Sequence, residues 1–418
     1  MKTKQQIQRL FALVIVTLFL SEIAFSQRFE NPKPQNLPDT FSVSNRYVHR
    51  IGIEARPGYI FPTNDFLRGD NNDGEPIRNA FSAHLKYSFQ FTHHSFLDRI
   101  YGGAYQGIGA AWYNFGDKKQ IGNPLAIYLF QGGRMTRFNP RLTLNYEWNF
   151  GVSFGWEPYD YYENFYNKMI GSEVNAYLNT NFYFSWMLNK WLDINAGVTL
   201  SHFSNGNTKF PNAGLNAVDL NVGLVWNINR ENNCFSLPAD YRPIPSFRKH
   251  VSYDLVLFGS WRRKGVLSGE DYVAAPDAYP VFGFNFSPMY NFGYKFRAGV
   301  SVDGVYDGSA NIYVPDYIMY SGGEEFVKPA FNKQLAVGLS GRAEYVMPYF
   351  TVSLGLGANV WHNGEDLKGL YQILALKMEL TRSCFLHIGY CLQDFHNPNY
   401  LMLGIGYRFN NKYPFLHR

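Results

Sequence analysis

Residues Leu200–Asn216 read LSHFSNGNTKFPNAGLN and place a histidine and a serine, His202 and Ser204, two residues apart. On an extended chain two such side chains point the same way. A neutral imidazole beside a hydroxyl can take its proton as the oxygen attacks a carbonyl, which is the chemistry of ester and amide cleavage. The same pair also occurs as the polar end of a strand running into a loop. Which of these applies depends on the element that carries it.

That element is a strand. Residues 192–204, LDINAGVTLSHFS, alternate strictly: Leu192, Ile194, Ala196, Val198, Leu200, His202 and Ser204 share one face, and Asp193, Asn195, Thr199 and Ser201 share the other. Residues 142–156 show the same period over a longer run, with Leu142, Leu144, Tyr146, Trp148, Phe150, Val152, Phe154 and Trp156 on the even side. Alternation this long fits the lipid-out, polar-in pattern of an outer-membrane barrel better than a half-buried strand of a globular sheet. About eight such strands are expected between Tyr47 and Ile228, and about eight more between Val251 and Phe409. The stretch 229–249 between them holds Pro238, Pro243 and Pro245 and no alternation, and reads as a periplasmic linker.

The amino terminus supplies the address. Lys2, Lys4 and Arg9 precede an apolar core at 10–20 and a small-residue exit, Ala24-Phe25-Ser26, so residues 1–26 are read as a signal peptide cut before Gln27. Loss of Lys2, Lys4, Arg9 and Glu22 lowers the formal charge of +5 to about +3, which gives no reason to expect nucleic acid as a partner. No later segment has the roughly 18 consecutive apolar residues of a membrane helix. Cys384 and Cys391 lie about 23 Å apart along one expected strand, too far for a disulfide. No His, Cys and carboxylate cluster has metal-ligand spacing, so neither metal nor cofactor is expected.

Strand parity then locates the pair. With a periplasmic start, the connection between the seventh and eighth strands lies at the cell surface. His202 and Ser204 continue the lipid face, Asn216 joins them from the next strand, and Asp219 turns into the lumen. The pair therefore stands where an acyl ester of an outer-leaflet glycolipid meets its sugar.

At this point the residues resemble the PagL lipid A 3-O-deacylases, eight-stranded outer-membrane barrels. The resemblance rests on His202-Phe-Ser204-Asn205 followed by Lys209-Phe-Pro211-Asn212-Ala-Gly214, and its general shape covers about residues 46–228. It implies Ser204 as nucleophile, His202 as general base, and Asn205 and Asn212 as oxyanion holders. It also implies outer-leaflet lipid A of lipopolysaccharide as substrate and the bacterial outer membrane as location. The family's glutamate position is Asn216 here. An amide can fix the imidazole tautomer but cannot offset an imidazolium charge. Glu157, Asp160 and Glu163, in the loop after the fifth strand, are candidates for a substitute carboxylate.

The expected fold is all-β: about 16 antiparallel strands in two eight-strand halves, residues 27–228 and 250–418. The linker, and a resemblance that already spans one closed barrel, favour two tandem barrels over one 16-stranded barrel. The second half looks like a degenerate copy, with Leu392–Asn397 aligned on Leu200–Asn205 and Asp394 and His396 at the positions of His202 and Ser204. It is expected to lack a serine mechanism. Trp148, Trp156, Trp186 and Trp226 are expected at the lipid, and Glu54, Arg56, Glu147 and Asp193 are expected to satisfy one another in the lumen. The competing functional class is a barrel without catalysis, structural, lipid-binding or a pore, and an unfilled lumen would favour the pore.

Overall fold

The computed structural model describes residues 47–92, 96–230, 246–268, 271–315, 326–395 and 397–412, with Ile244. The expected signal peptide, most of the expected linker, Cys234 and His396 lie outside them.

Alternating side chains close the chain into two separate barrels. The first comprises β1 (Tyr47–Ile60), β2 (Asn79–Phe91), β3 (Tyr105–Asn114), β4 (Gly122–Arg137), β5 (Leu142–Trp156), β6 (Val174–Met187), β7 (Leu192–Ser204) and β8 (Leu215–Ile228). Every strand pairs antiparallel with its sequence neighbour, and β8 closes on β1. The second opens with β9 (His250–Arg262). A hairpin of β10 (Gly265–Ser268) and β11 (Asp271–Ala274) then stands outside the barrel wall. β12 (Tyr279–Asn291), β13 (Phe296–Asp307), β14 (Leu335–Val346), β15 (Phe350–His362), β16 (Leu370–Glu379), β17 (Cys384–Gln393) and β18 (Asn397–Phe409) follow, and β18 closes on β9. Two tandem barrels, not one wide barrel, is thus the architecture.

Both walls are apolar outside and polar inside. Leu85, Leu200, Leu220 and Ile405 are exposed on the outer faces, whereas Arg50, Glu54, Arg56, Lys86, Glu147 and Asn179 are buried in the first lumen. Lys86 Nζ bridges Glu54 at 2.8 Å and Glu147 at 2.5 Å, and Arg56 pairs with Glu54 at 2.5 Å. Lys86 is the partner that the sequence reading left out. Asp193 instead pairs with Arg230 at 2.8 Å, near the opposite end of β7 from Ser204. Tyr113 packs edge to face on Phe203, and Tyr128, Tyr177 and Phe203 pack at tilted angles toward the other end, so side chains fill this lumen. In the second lumen Asp254 pairs with Arg408 and Lys377, both at 2.8 Å, and Glu344 pairs with Lys377 at 2.6 Å.

Two aromatic expectations are corrected. Gly155 adopts a left-handed φ of 87°, which breaks the alternation of β5 and turns Trp156 inward. There its Nε1 donates to Ser153 Oγ at 2.8 Å, and its ring stacks on Phe115. Trp148 does face outward, but it meets Phe350 of the second barrel edge to face at 5.3 Å instead of lipid. Trp186 and Trp226 stand exposed on the outer wall.

The Trp148 contact is part of the seam between the barrels. Phe350, Leu376 and Met378 are buried against Leu129, Trp148 and Phe150. Near the short turns, Phe91, Leu97, Ile100 and Tyr101 pack with Tyr294 and Tyr349, and Gln131 Nε2 donates to Pro348 O at 3.2 Å.

Candidate active site

The end of β7 carries the pair. Thr199, Ser201 and Phe203 are buried in the lumen, which puts Leu200, His202 and Ser204 on the outer face. Register sets the neighbours: His202 lies opposite Asn216 of β8 and Leu178 of β6, and Ser204 lies opposite Ala176. Directly opposed residues on one face have Cβ atoms about 4.5–5.5 Å apart, within reach of a short amide.

The geometry follows. His202 Nε2 lies 3.0 Å from Ser204 Oγ, and His202 Nδ1 lies 2.7 Å from Asn216 Oδ1. A carbonyl oxygen only accepts, so Nδ1 carries the hydrogen and Nε2 presents a lone pair to the serine hydroxyl. Asp219 is turned into the lumen and accepts from Ser201 Oγ at 3.0 Å.

The loop after the pair is held by its own amides. Asn212 Oδ1 accepts the backbone N–H of Asn205 at 2.8 Å, and Asn212 Nδ2 donates to Asn207 Oδ1 at 3.1 Å. Thr208 Oγ1 donates to Asn205 O at 2.8 Å, and Asn205 itself is buried. Asn205 and Asn212 therefore shape the turn beside Ser204.

Gly214 also packs close to the pair. Its φ is 73°, and a Cβ added there would stand 3.0 Å from Phe203 O and 3.3 Å from His202 Cε1. Its N–H donates to Met169 O at 3.0 Å, joining the β5–β6 loop to the site. That loop does not bring a carboxylate to the imidazole nitrogen that Asn216 occupies. Asp160 Oδ1 instead accepts from the backbone of Tyr162 at 2.8 Å and Glu163 at 3.0 Å, and these two bonds hold its carboxyl below its usual range.

A second Ser/His pair went unread in the sequence. Ser82 Oγ lies 2.9 Å from His84 Nε2, and His84 Nδ1 lies 2.9 Å from Tyr128 OH. Both residues are buried in the filled lumen, where no lipid reaches them. The signal was available, since Ser82-Ala-His84 repeats the two-residue spacing on β2, but on the inward parity.

The aligned positions in the second barrel differ. β17 ends at Gln393, and Asp394 and Phe395 form a turn with left-handed φ of 49° and 64°. Asp394 Oδ1 accepts from Leu370 N at 3.2 Å, so this carboxylate caps a turn and does not extend a lipid face as the alignment suggested.

Two closed barrels with apolar walls and charged lumens define an integral protein of the bacterial outer membrane. Residues 81–225 match the family model described as lipid A 3-O-deacylase (PagL), and residues 251–411 match that of the acyloxyacyl hydrolase C-terminal domain. The chain thus carries a PagL lipid A 3-O-deacylase domain within its first barrel and an acyloxyacyl hydrolase C-terminal domain over its second. No curated protein sequence matches the chain.

Among solved structures, Neisserial surface protein A is similar at 9% identity and a TM-score of 0.25, over 43% of this chain and 95% of that one. The FrpB iron transporter from Neisseria meningitidis is similar at 10% identity and a TM-score of 0.21, over 86% and 70%. The Acinetobacter baumannii outer membrane protein Omp33 is similar at 8% identity and a TM-score of 0.16, over 87% and 98%. The assignment of the two domains rests on the family matches and not on these likenesses.

Proposed function

We propose that the protein is a lipid A deacylase that cleaves a 3-O-linked acyl ester at Ser204. The observation that carries this reading is the outward-facing pair itself, His202 Nε2 3.0 Å from Ser204 Oγ, at the end of the barrel that bears the long loops. His202 takes the hydroxyl proton as Ser204 Oγ attacks the ester carbonyl. The C–O bond to the sugar breaks, the proton passes to the leaving sugar hydroxyl, and the acyl group stays on Ser204. Water, deprotonated by His202, then attacks the acyl carbonyl; the bond to Ser204 Oγ breaks, the proton returns to that oxygen, and the 3-hydroxy fatty acid leaves. Asn216 holds the imidazole tautomer through both steps. Asn205, Asn212 and the neighbouring backbone supply the polar surface for the oxyanion.

The filled first lumen argues against a pore. A structural or lipid-binding barrel without turnover is the other reading, favoured by the neutral side chain at position 216. Purified protein incubated with lipopolysaccharide in detergent decides between them. Free 3-hydroxy fatty acid should appear with the wild type and fall about a thousandfold or more with Ser204→Ala. Equal release from both proteins would refute the serine mechanism.

A further inference from the structure

The loop that follows Ser204 leans on the second barrel. Gly206 has a left-handed φ of 64°, and a Cβ there would come within 2.8 Å of Leu401 Cδ1 and 3.6 Å of the Tyr390 ring. Tyr390 and Leu401 occupy outward positions near the ends of β17 and β18, yet they are only half exposed, while Ile405, further along β18, is open. Phe210 rests on the other flank: a Cβ on Gly265 would stand 2.4 Å from its ring. Gly265 starts the hairpin outside the barrel wall, and the preceding Lys264 is pinned by its ion pair with Asp366.

Asn207 ties these surfaces to the site. Its carbonyl accepts the N–H of Arg263 at 3.1 Å, and its Nδ2 donates to Asn399 O at 3.1 Å. Both partners belong to the second barrel. Its Oδ1 accepts from Asn212 Nδ2, and Asn212 Oδ1 holds the N–H of Asn205, the residue after Ser204. A continuous hydrogen-bonded path therefore runs from the second barrel to the residue beside the pair.

The seam does not need this path for cohesion, because Phe350, Leu376 and Met378 already join the barrels elsewhere. These bonds are few and polar, and they are aimed at one loop. The turn between β17 and β18 is short, while the β7–β8 connection, 205–214, is long enough to reach across.

We infer that the second barrel is the positioning element of the first barrel's site, and that Asn207 is the positioning residue that transmits its hold to the amides beside Ser204. This rests on the ester-cleaving reading of the pair. The second barrel supplies no reacting group. It fixes where Asn205 and Asn212 stand when charge develops on the attacked ester, so its loss should appear in kcat and not in KM.

Two variants test the path from opposite sides. Asn207→Asp keeps an oxygen for Asn212 and a side chain that tolerates left-handed backbone, but sets an oxygen against the Asn399 carbonyl. Gly265→Ala lies in the hairpin that follows the first strand of the second barrel and pushes on Phe210. Heat-modifiable migration on gels confirms that each variant is folded. Hydrogen exchange of the Asn205 amide, measured in nanodiscs, reads the hold without reference to turnover and should be about tenfold faster in both. On lipopolysaccharide, kcat should fall about tenfold or more with KM unchanged. Unchanged exchange in folded variants overturns the inference, as does a rise in KM at constant kcat, which would make the second barrel a substrate wall. A wild type that releases no fatty acid would defeat the ester reading, and the exchange rates would still decide the hold.

Discussion

Asn216 is the residue on which the proposed chemistry turns. Its Oδ1 sits where an acid would sit, 2.7 Å from His202 Nδ1, and fixes the tautomer that lets Nε2 accept from Ser204. In the proposed mechanism it offers no charge to the imidazolium formed during attack. Asn216→Glu, which places a carboxylate at the same register position, should therefore raise kcat by about tenfold or more. Asn216→Leu removes the acceptor and should lower kcat by about a hundredfold or more. Steady-state release of 3-hydroxy fatty acid measures both, and a Glu variant slower than wild type would show that the site has been built around the neutral amide. Gly214→Ala should also lower kcat with the barrel intact, since its methyl would meet Phe203 O and His202 and its φ of 73° disfavours a side chain. The Ser and His were legible as a pair because one strand parity governs both. The roles of Gly214 and Asn207 were not, because left-handed backbone and contacts with distant chain leave no mark on a period of two.

At the scale of the element, everything depends on which side of the wall a residue occupies. Parity read from sequence placed His202, Ser204 and Asn216 outside and Asp219 inside, and the register of β7 with β8 agrees. It failed at Trp156, where Gly155 shifts the phase, and at Asp394, where the strand has already ended. Each failure sits at a positive φ. Parity also cannot tell lipid from a neighbouring protein wall, which is why Trp148 was assigned to the bilayer. The wall itself gives a graded prediction. Leu220→Arg, on the exposed outer face of β8, should cost about 2–4 kcal/mol if it lies at the bilayer midplane. Urea titration of folding into vesicles measures this, and a loss near zero would mean that the face is not bathed in lipid.

The whole molecule is two closed barrels joined along one seam, each locked by buried charge. In the first, Lys86 is shared by Glu54 and Glu147. Removing one partner of such a pair strands the other charge, so Lys86→Met should destabilise the first barrel by about 3–5 kcal/mol, measured by the same titration. Outside the membrane, Asp366 offers a pH test. Burial alone would raise its carboxyl, but Lys264 and the Asn311 N–H outweigh that and hold it below the ordinary carboxylate range. The stability this gives to the hairpin's anchor is present above the unfolded carboxylate pKa and is lost as pH falls through the lowered folded value. Hydrogen exchange across 263–275 should therefore rise in strongly acidic buffer, and Asp366→Asn should show the raised rate already at neutral pH. The proline-rich connection, with a resemblance that already spans one closed barrel, pointed to two barrels. The seam, made of ordinary outward-facing Phe, Leu and Met, could not be told from lipid-facing wall until the coordinates set the barrels side by side.

In the proposed reaction Ser204, on the lipid side of the wall, cleaves an acyl ester of lipid A. The most direct measurement is the mass spectrum of lipid A from the outer membranes of a host with intact lipid A that expresses this protein. Wild type should lower the lipid A mass by one 3-hydroxyacyl group, and Ser204→Ala and His202→Ala, inserted at equal levels, should leave it unchanged. A full-mass lipid A with the wild type, or the same loss with Ser204→Ala, would rule this reaction out.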